Sequence, residues 1–166
     1  MTRVSCPVYA LLDNVRSAWN VGSMFRTADA AGLAGLYLCG ITATPPRADL
    51  EKTALGAQRT VPWDYWAQTR DLLRHLRGRG VDLIALECAP DAVPLEDALV
   101  RFPACFVVGN EVDGVSDELR ALCDRTAMIP MHGAKESLNV AVSFGLMAYA
   151  SRRSWELSIA PSSRRE

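Results

Sequence analysis

No stretch of this chain approaches the roughly 18 consecutive uncharged apolar residues that a membrane-spanning helix needs. The opening residues, Met1-Thr2-Arg3-Val4-Ser5-Cys6-Pro7, lack the apolar core of a secretory leader, so the reading is of a cytoplasmic protein. The five cysteines (6, 39, 88, 105 and 123) are odd in number, scattered, and never spaced as CxxC. A disulfide framework and a structural zinc are therefore not expected, and the thiols read as reduced. Histidine is confined to His75 and His132, too few to build a metal cluster with these neighbours, and no metal is expected. Also missing are GxGxxG after the first strand, GxxxxGK[ST], GxSxG and HExxH. These absences remove the usual signatures of nicotinamide enzymes, nucleoside triphosphatases, serine hydrolases and zinc proteases.

Lysine is nearly absent too. Lys52 and Lys135 are the only two, against sixteen arginines, and the net charge is −1. Arginine grips phosphate with two parallel donors and stacks on bases, although such a bias also follows from the base composition of a genome. What remains is an ordinary globular composition, 49% apolar and 22% charged over 166 residues, enough for one domain with a real core. That domain is expected over 1–157, with a flexible tail at 158–166.

Short apolar runs alternate with helical patterns, which predicts an α/β fold with a mainly parallel sheet flanked by helices. The predicted strands are Val8–Leu12, Gly35–Cys39, Asp82–Glu87, Cys105–Gly109 and Ala127–Pro130, with Arg59–Trp63 as a further candidate. Helices are predicted over Trp19–Ala31, from a cap at Asp64 to Arg77, from Ser116, and from Ser137. The last is apolar on nearly every side from Leu138 to Tyr149. In so small a domain one face must lie on the sheet and the other against a second subunit, which suggests a homodimer.

Ligands of open α/β sheets bind beyond the carboxyl ends of the strands, and three such ends carry polar, glycine-marked segments. In the first, Arg26 follows Gly22 by one helical turn and would lean over the gap left by the glycine, toward Asn20. Taken alone, a surface arginine beside a capping asparagine accounts for it. In the second, Glu111 sits in a tight turn between Gly109 and Gly114, where a solvated acid in a loop is the simpler explanation. In the third, Gly133 lets the chain turn and Ser137 and Asn139 open a buried helix, as caps or as donors to an anion. Arg70, Arg74 and Arg77 form a helical stripe that reads either as a solvated face or as an RNA-backbone contact.

Together the three segments say more. Asn20-Val21-Gly22-x-x-x-Arg26-Thr27-Ala28, then Gly109-Asn110-Glu111-x-x-Gly114, then Ile129-Pro130-Met131 followed by Ser137-Leu138-Asn139-Val140-Ala141 resemble the three ordered motifs of the SpoU/TrmH family. These are SPOUT-class RNA ribose 2′-O-methyltransferases that use S-adenosylmethionine, and the resemblance runs from about Val8 to Tyr149. It implies a C-terminal trefoil knot over roughly Phe106 to Ala148, and a homodimer with its sites near the subunit interface. It implies catalytic roles for Asn20, Arg26, Glu111, Ser137 and Asn139. The cofactor would be held at Gly109, Ile129 and Leu138, with Met131 and Gly133 lining the same cleft. Methyl transfer from a sulfonium needs no metal, because the donor already carries the positive charge. Family proposals have Arg26 activating the ribose hydroxyl; a guanidinium that stays protonated suits phosphate binding and alkoxide stabilisation equally well.

Trp19 departs from the pattern, standing where many relatives have proline. No stretch reads as a separate RNA-binding domain, so RNA is expected on the dimer surface, at Arg3, Arg16, Arg47, Lys52, Arg59 or the Arg70 stripe. Transfer RNA leads as substrate and ribosomal RNA follows. A non-catalytic RNA-binding dimer and a flavodoxin-like nucleotide-binding domain are the competing readings.

Overall fold

The computed structural model describes residues 5–98 and 101–160. Seven strands form one sheet in the order β3-β2-β1-β6-β4-β7-β5, and every neighbouring pair is parallel. They are β1 (Cys6–Asp13), β2 (Leu33–Cys39), β3 (Trp63–Trp66), β4 (Asp82–Leu86), β5 (Val93–Pro94), β6 (Ala104–Val108) and β7 (Arg125–Met128). The helices are α1 (Ala18–Ala31), α2 (Ala48–Ala54), α3 (Thr69–Gly78), α4 (Leu95–Ala98), α5 (Asp117–Ala121) and α6 (Val140–Ile159).

Alternation along the strands divides the core between the two faces of the sheet. Val8, Ala10, Leu12, Phe106 and Val108 meet α1, α2, α4 and α6 on one face. Leu11, Leu83, Ala85, Cys105 and Val107 meet α3 and α5 on the other. Strands β4 and β6 are buried at every position, which explains their unbroken apolar runs. On the first face, Phe144 of α6 packs against Phe106 with ring centroids 5.3 Å apart and the planes tilted by 56°. Truncating a fully buried phenylalanine such as this costs about 3–5 kcal/mol.

Besides shifts of one or two residues at strand ends, the boundaries around β3 and at the start of α6 differ from the sequence expectation. Asp64 caps no helix: it lies in β3, where its carboxylate accepts hydrogen bonds from the Tyr65 amide and the Trp66 indole. The candidate strand at Arg59–Trp63 is displaced accordingly, with Arg59 closing a 3-10 turn and Trp63 opening β3. Pairing with β2 supplies partners for the backbone there, and α3 waits until Thr69. At α6 the cap is Asn139, whose Oδ1 accepts from the Ala141 amide at 2.8 Å, and Ser137 stays in the loop before it. Short β5, α2 and α4 carry too few residues to show a period.

Cys6, Cys39 and Cys105 are buried, Cys123 is half-buried and Cys88 is exposed; all five thiols are free. Burial pushes the Cys6 thiol up to about 11, and the Cys39 and Cys123 thiols up to about 12, so all three stay protonated at neutral pH. The last helix runs through Ile159, past the expected start of the tail, and residues 161–166 lie outside the described residues. Among the described residues no helix is long and apolar enough to cross a membrane.

Candidate functional site

The carboxyl ends of β4, β6 and β7 open onto a cleft of about 440 Å³. Leu86, Val108, Ile129 and the more exposed Leu138 give it apolar lining, and its rim carries Glu87, Glu111, Asp113 and Glu136. Among the described residues no lysine, arginine or histidine borders it.

The turn at 110–114 is built to be tight. Asn110 Oδ1 accepts from the amides of Val112 and Asp113 at 2.9 and 2.8 Å, and the Gly114 amide returns to the Asn110 carbonyl at 3.1 Å. Gly114 takes a left-handed φ of 64°, which favours glycine. A β-carbon there would also meet the Glu87 carboxylate, which accepts from the Val115 amide at 2.8 Å. At Gly109 an added β-carbon would overlap the Gly114 carbonyl itself. The glycines of the second motif thus allow backbone to pass against backbone at the mouth of the cleft.

That turn delivers Glu111 to a segment more than ninety residues away. Its carboxylate accepts from the Arg16 amide at 3.0 Å, and from the Ser17 amide and the Asn20 Nδ2 at 3.1 Å each. Burial pushes the Glu111 carboxyl up, but these bonds together with its own amide outweigh burial and hold it below the usual value. Ser17 in turn caps α1, its hydroxyl accepting from the Asn20 amide at 3.3 Å. Asn139 Nδ2 approaches Asn20 Oδ1 at 3.5 Å, joining the first motif to the third. Asn20, Glu111 and Asn139 therefore converge, with Ser137 on the same cleft wall.

Of the residues expected to hold a cofactor, Gly109, Ile129, Met131 and Leu138 line the cleft. Gly133 does not; it lies in an open bend where a β-carbon would meet nothing within 4 Å. Nor does Arg26 border the cleft. It opens onto a separate hollow with Ser23, Thr27, Lys52 and Thr53. The gap expected at Gly22 is not there for Arg26 to cover, because α2 fills it: a β-carbon on Gly22 would overlap the Leu50 carbonyl and the Thr53 hydroxyl.

The arginine stripe of α3 lies on the opposite face of the sheet, and each member is engaged. Arg70 pairs with Glu118 at 3.1 Å, Arg74 with Asp71 at 3.8 Å, and Arg77 donates to the Leu122 carbonyl at 2.6 Å with Asp124 at 3.8 Å. Arg16, Arg26 and Arg59 make no side-chain hydrogen bond or ion pair among the described residues. Sequence reasoning passed over Glu87, Cys88 and Ser143 of the cleft wall. The position of Glu87 at the end of a buried strand was the one available signal.

S-adenosylmethionine suits this cleft. The volume falls within the roughly 300–1,000 Å³ usual for small-molecule sites, the apolar lining suits an adenine ring, and an acidic rim with no cation among the described residues favours a sulfonium. The same rim disfavours a nucleotide polyphosphate.

Comparison with known proteins agrees with this geometry. Over 147 residues the chain is 33% identical to the 23S rRNA (guanosine-2′-O-)-methyltransferase of Neisseria meningitidis serogroup B, covering 89% of this chain and 58% of that protein. Superposition on an AdoMet-bound rRNA methyltransferase from Sinorhizobium meliloti gives a TM-score of 0.84 at 32% identity, over 92% of this chain and 58% of that one. A structure described as giving insight into the 2-OH methylation of C/U34 on tRNA matches with a TM-score of 0.79 at 28% identity. That match covers 89% of this chain and 95% of the other. The chain spans about three-fifths of the length of the first curated relatives it matches. Residues 7–149 fit the pattern of the SpoU rRNA Methylase family, and with that extent of agreement the chain belongs to it.

Proposed function

We propose that the chain transfers a methyl group from S-adenosylmethionine to a ribose 2′-hydroxyl of RNA, with transfer RNA as substrate and ribosomal RNA as the second reading. The observation that carries this is the carboxylate of Glu111. It draws the first motif onto the rim of the acidic cleft and sets the Asn20 and Asn139 amides side by side. The solved structure matched over 95% of its length bears on tRNA, which favours that substrate; the rRNA relative supports the alternative.

The cofactor supplies an electrophilic methyl on a positively charged sulfur. Gly109, Ile129, Met131 and Leu138 hold it by backbone and apolar contact, and the acidic rim favours its charge. Asn20, Ser137 and Asn139 orient the ribose at the edge of the cleft, and much of the rate comes from that positioning. Glu111 acts through them as a positioning residue. Arg26 lies nearly two helical turns beyond Asn20 on α1, so the substrate lies across the helix. Its guanidinium, protonated throughout, binds the adjacent RNA phosphate and stabilises the developing alkoxide; the hydroxyl proton passes to that phosphate or to water as the oxygen takes the methyl and the neutral thioether S-adenosylhomocysteine leaves.

The active form is a homodimer. Val142, Leu146 and Tyr149 form an i, i+4, i+7 stripe on the outer face of α6, 51%, 45% and 55% exposed, while Phe144, Met147 and Ala148 bury the inner face. The knot expected over Phe106 to Ala148 belongs to the same reading. The reading also carries a cytoplasmic location and a single catalytic domain that includes α6 to its end at Ile159.

Transfer of labelled methyl from S-adenosylmethionine to bulk tRNA and, separately, to bulk rRNA from a strain lacking this protein tests the proposal. A 2′-O-methyl nucleoside in one pool is expected, lost in Arg26→Ala while S-adenosylhomocysteine binding stays within a few-fold. Transfer to a base, or to neither pool, refutes the activity; near-normal turnover by Arg26→Ala removes Arg26 from it.

A further inference from the structure

Trp19 is 53% exposed at the start of α1, where its indole presents apolar surface to solvent. Helical spacing puts Trp19, Ser23 and Arg26 on one face of α1. Beside that face, α2 contributes Lys52 and Thr53, and Ser23, Arg26, Thr27, Lys52 and Thr53 surround a hollow of about 450 Å³. The Lys52 ammonium stands 5.7 Å from the Trp19 ring centroid, and Thr53 Oγ1 donates to the Trp19 carbonyl at 2.8 Å. The close approach of the helices at Gly22 fixes the platform relative to the hollow.

The cations here differ from those of α3. Neither Arg26 nor Lys52 has an ion-pair partner among the described residues, whereas Arg70, Arg74 and Arg77 each face a carboxylate. A phosphate reaching α3 must displace those carboxylates; one reaching the hollow meets two cations that no carboxylate holds among the described residues, beside the hydroxyls of Ser23, Thr27 and Thr53. The residue after Trp19 is Asn20, held by Glu111 at the cleft.

We infer that Trp19 is a stacking platform for an RNA base next to the target nucleotide, whose phosphate sits in the hollow between Arg26 and Lys52. This rests on the RNA-methylation reading above and adds a specific subsite to it. An unpaired base laid on an aromatic ring, with its backbone held by adjacent cations, is the usual way single-stranded RNA is gripped. The platform reads the presence of an unstacked base rather than its identity, so the substrate is expected to present its target in a loop.

Two readouts test this, one of them independent of turnover. Binding of a short fluorescein-labelled oligoadenylate is measured by anisotropy for the wild type, Trp19→Ala, Trp19→Phe and Lys52→Ala. Trp19→Ala is expected to weaken binding about ten-fold, as loss of one base–aromatic stack does, and Trp19→Phe to restore most of it. Lys52→Ala is expected to flatten the slope of log affinity against log salt by about 0.7, the single-strand value for one phosphate contact. With bulk tRNA or rRNA as methyl acceptor, the loss in Trp19→Ala should fall on KM rather than kcat. Equal oligoadenylate affinity for wild type and Trp19→Ala overturns the inference. So does a loss accompanied by a change in oligomeric mass, which would make Trp19 a protein-contact residue. Stacking that responds as expected in a protein that methylates no RNA would instead sink the proposed activity and leave this subsite standing.

Discussion

Replacing Gly109 by alanine adds a single methyl group, yet the structure predicts a large effect. The new carbon would overlap the carbonyl of Gly114 and lie 2.5 Å from the Val115 nitrogen. All of these are backbone atoms, so no rotamer change relieves the contact. Ordinary van der Waals separation requires the 110–114 turn to move by about 1 Å or more relative to β6. That motion strains the bond from the Gly114 amide to Asn110 and the bond from the Val115 amide to the Glu87 carboxylate. A neutral bond contributes about 0.5–1.5 kcal/mol net and one to a charged group about 1.5–3. Losing both, or keeping them under strain, costs about 2–4 kcal/mol. The same displacement carries Glu111 away from Arg16, Ser17 and Asn20, so affinity for the cofactor product should fall with stability. Urea denaturation gives the first quantity and titration calorimetry with S-adenosylhomocysteine the second. A Gly109→Ala protein within about 0.5 kcal/mol of wild type, the range of neutral surface changes, and with unaltered binding would refute the reasoning.

Two further outcomes follow from the same geometry. The Arg16 and Ser17 amide protons, both bonded to Glu111, should titrate together by NMR with a midpoint below the ordinary carboxylate value of about 4.3, and Glu111→Gln should abolish that titration. Because the folded pKa is lowered, the stabilisation is fully present above the unfolded value and is lost as pH falls through the folded one; a midpoint at or above about 4.3 contradicts the network. Leu146→Glu places a charge in the exposed stripe of α6 and should yield a folded monomer by light scattering, from a wild type of twice 18.1 kDa. A wild type that is already monomeric, or a variant that still pairs, would show that the stripe is not an interface.

Much of this protein is local in origin. The apolar runs of β1, β4 and β6 follow from strands buried on both faces, and Ser116 caps α5 as its side chain dictates, accepting from the Leu119 amide. The order of the three motifs, with residues 20–28, 109–114 and 129–141 each at a strand's carboxyl end, made the family resemblance legible without coordinates. What depended on the folded chain is what acts between distant segments. Asp64 lost its role as a cap because β2 was available to pair with it, and no periodicity within 64–77 encodes that neighbour. Gly22 looked like room for Arg26 and is in fact where α2 packs, since a missing side chain marks a close approach without naming what approaches. Glu111 read as a solvated loop acid until the sheet order set β6 beside β1 and brought its carboxylate to three donors more than ninety residues away. Propensity and pattern reach only as far as a helical turn or a strand pair. A carboxylate's partners, a glycine's neighbour and the acidic rim of the cleft are set by contacts that exist only once the chain is folded.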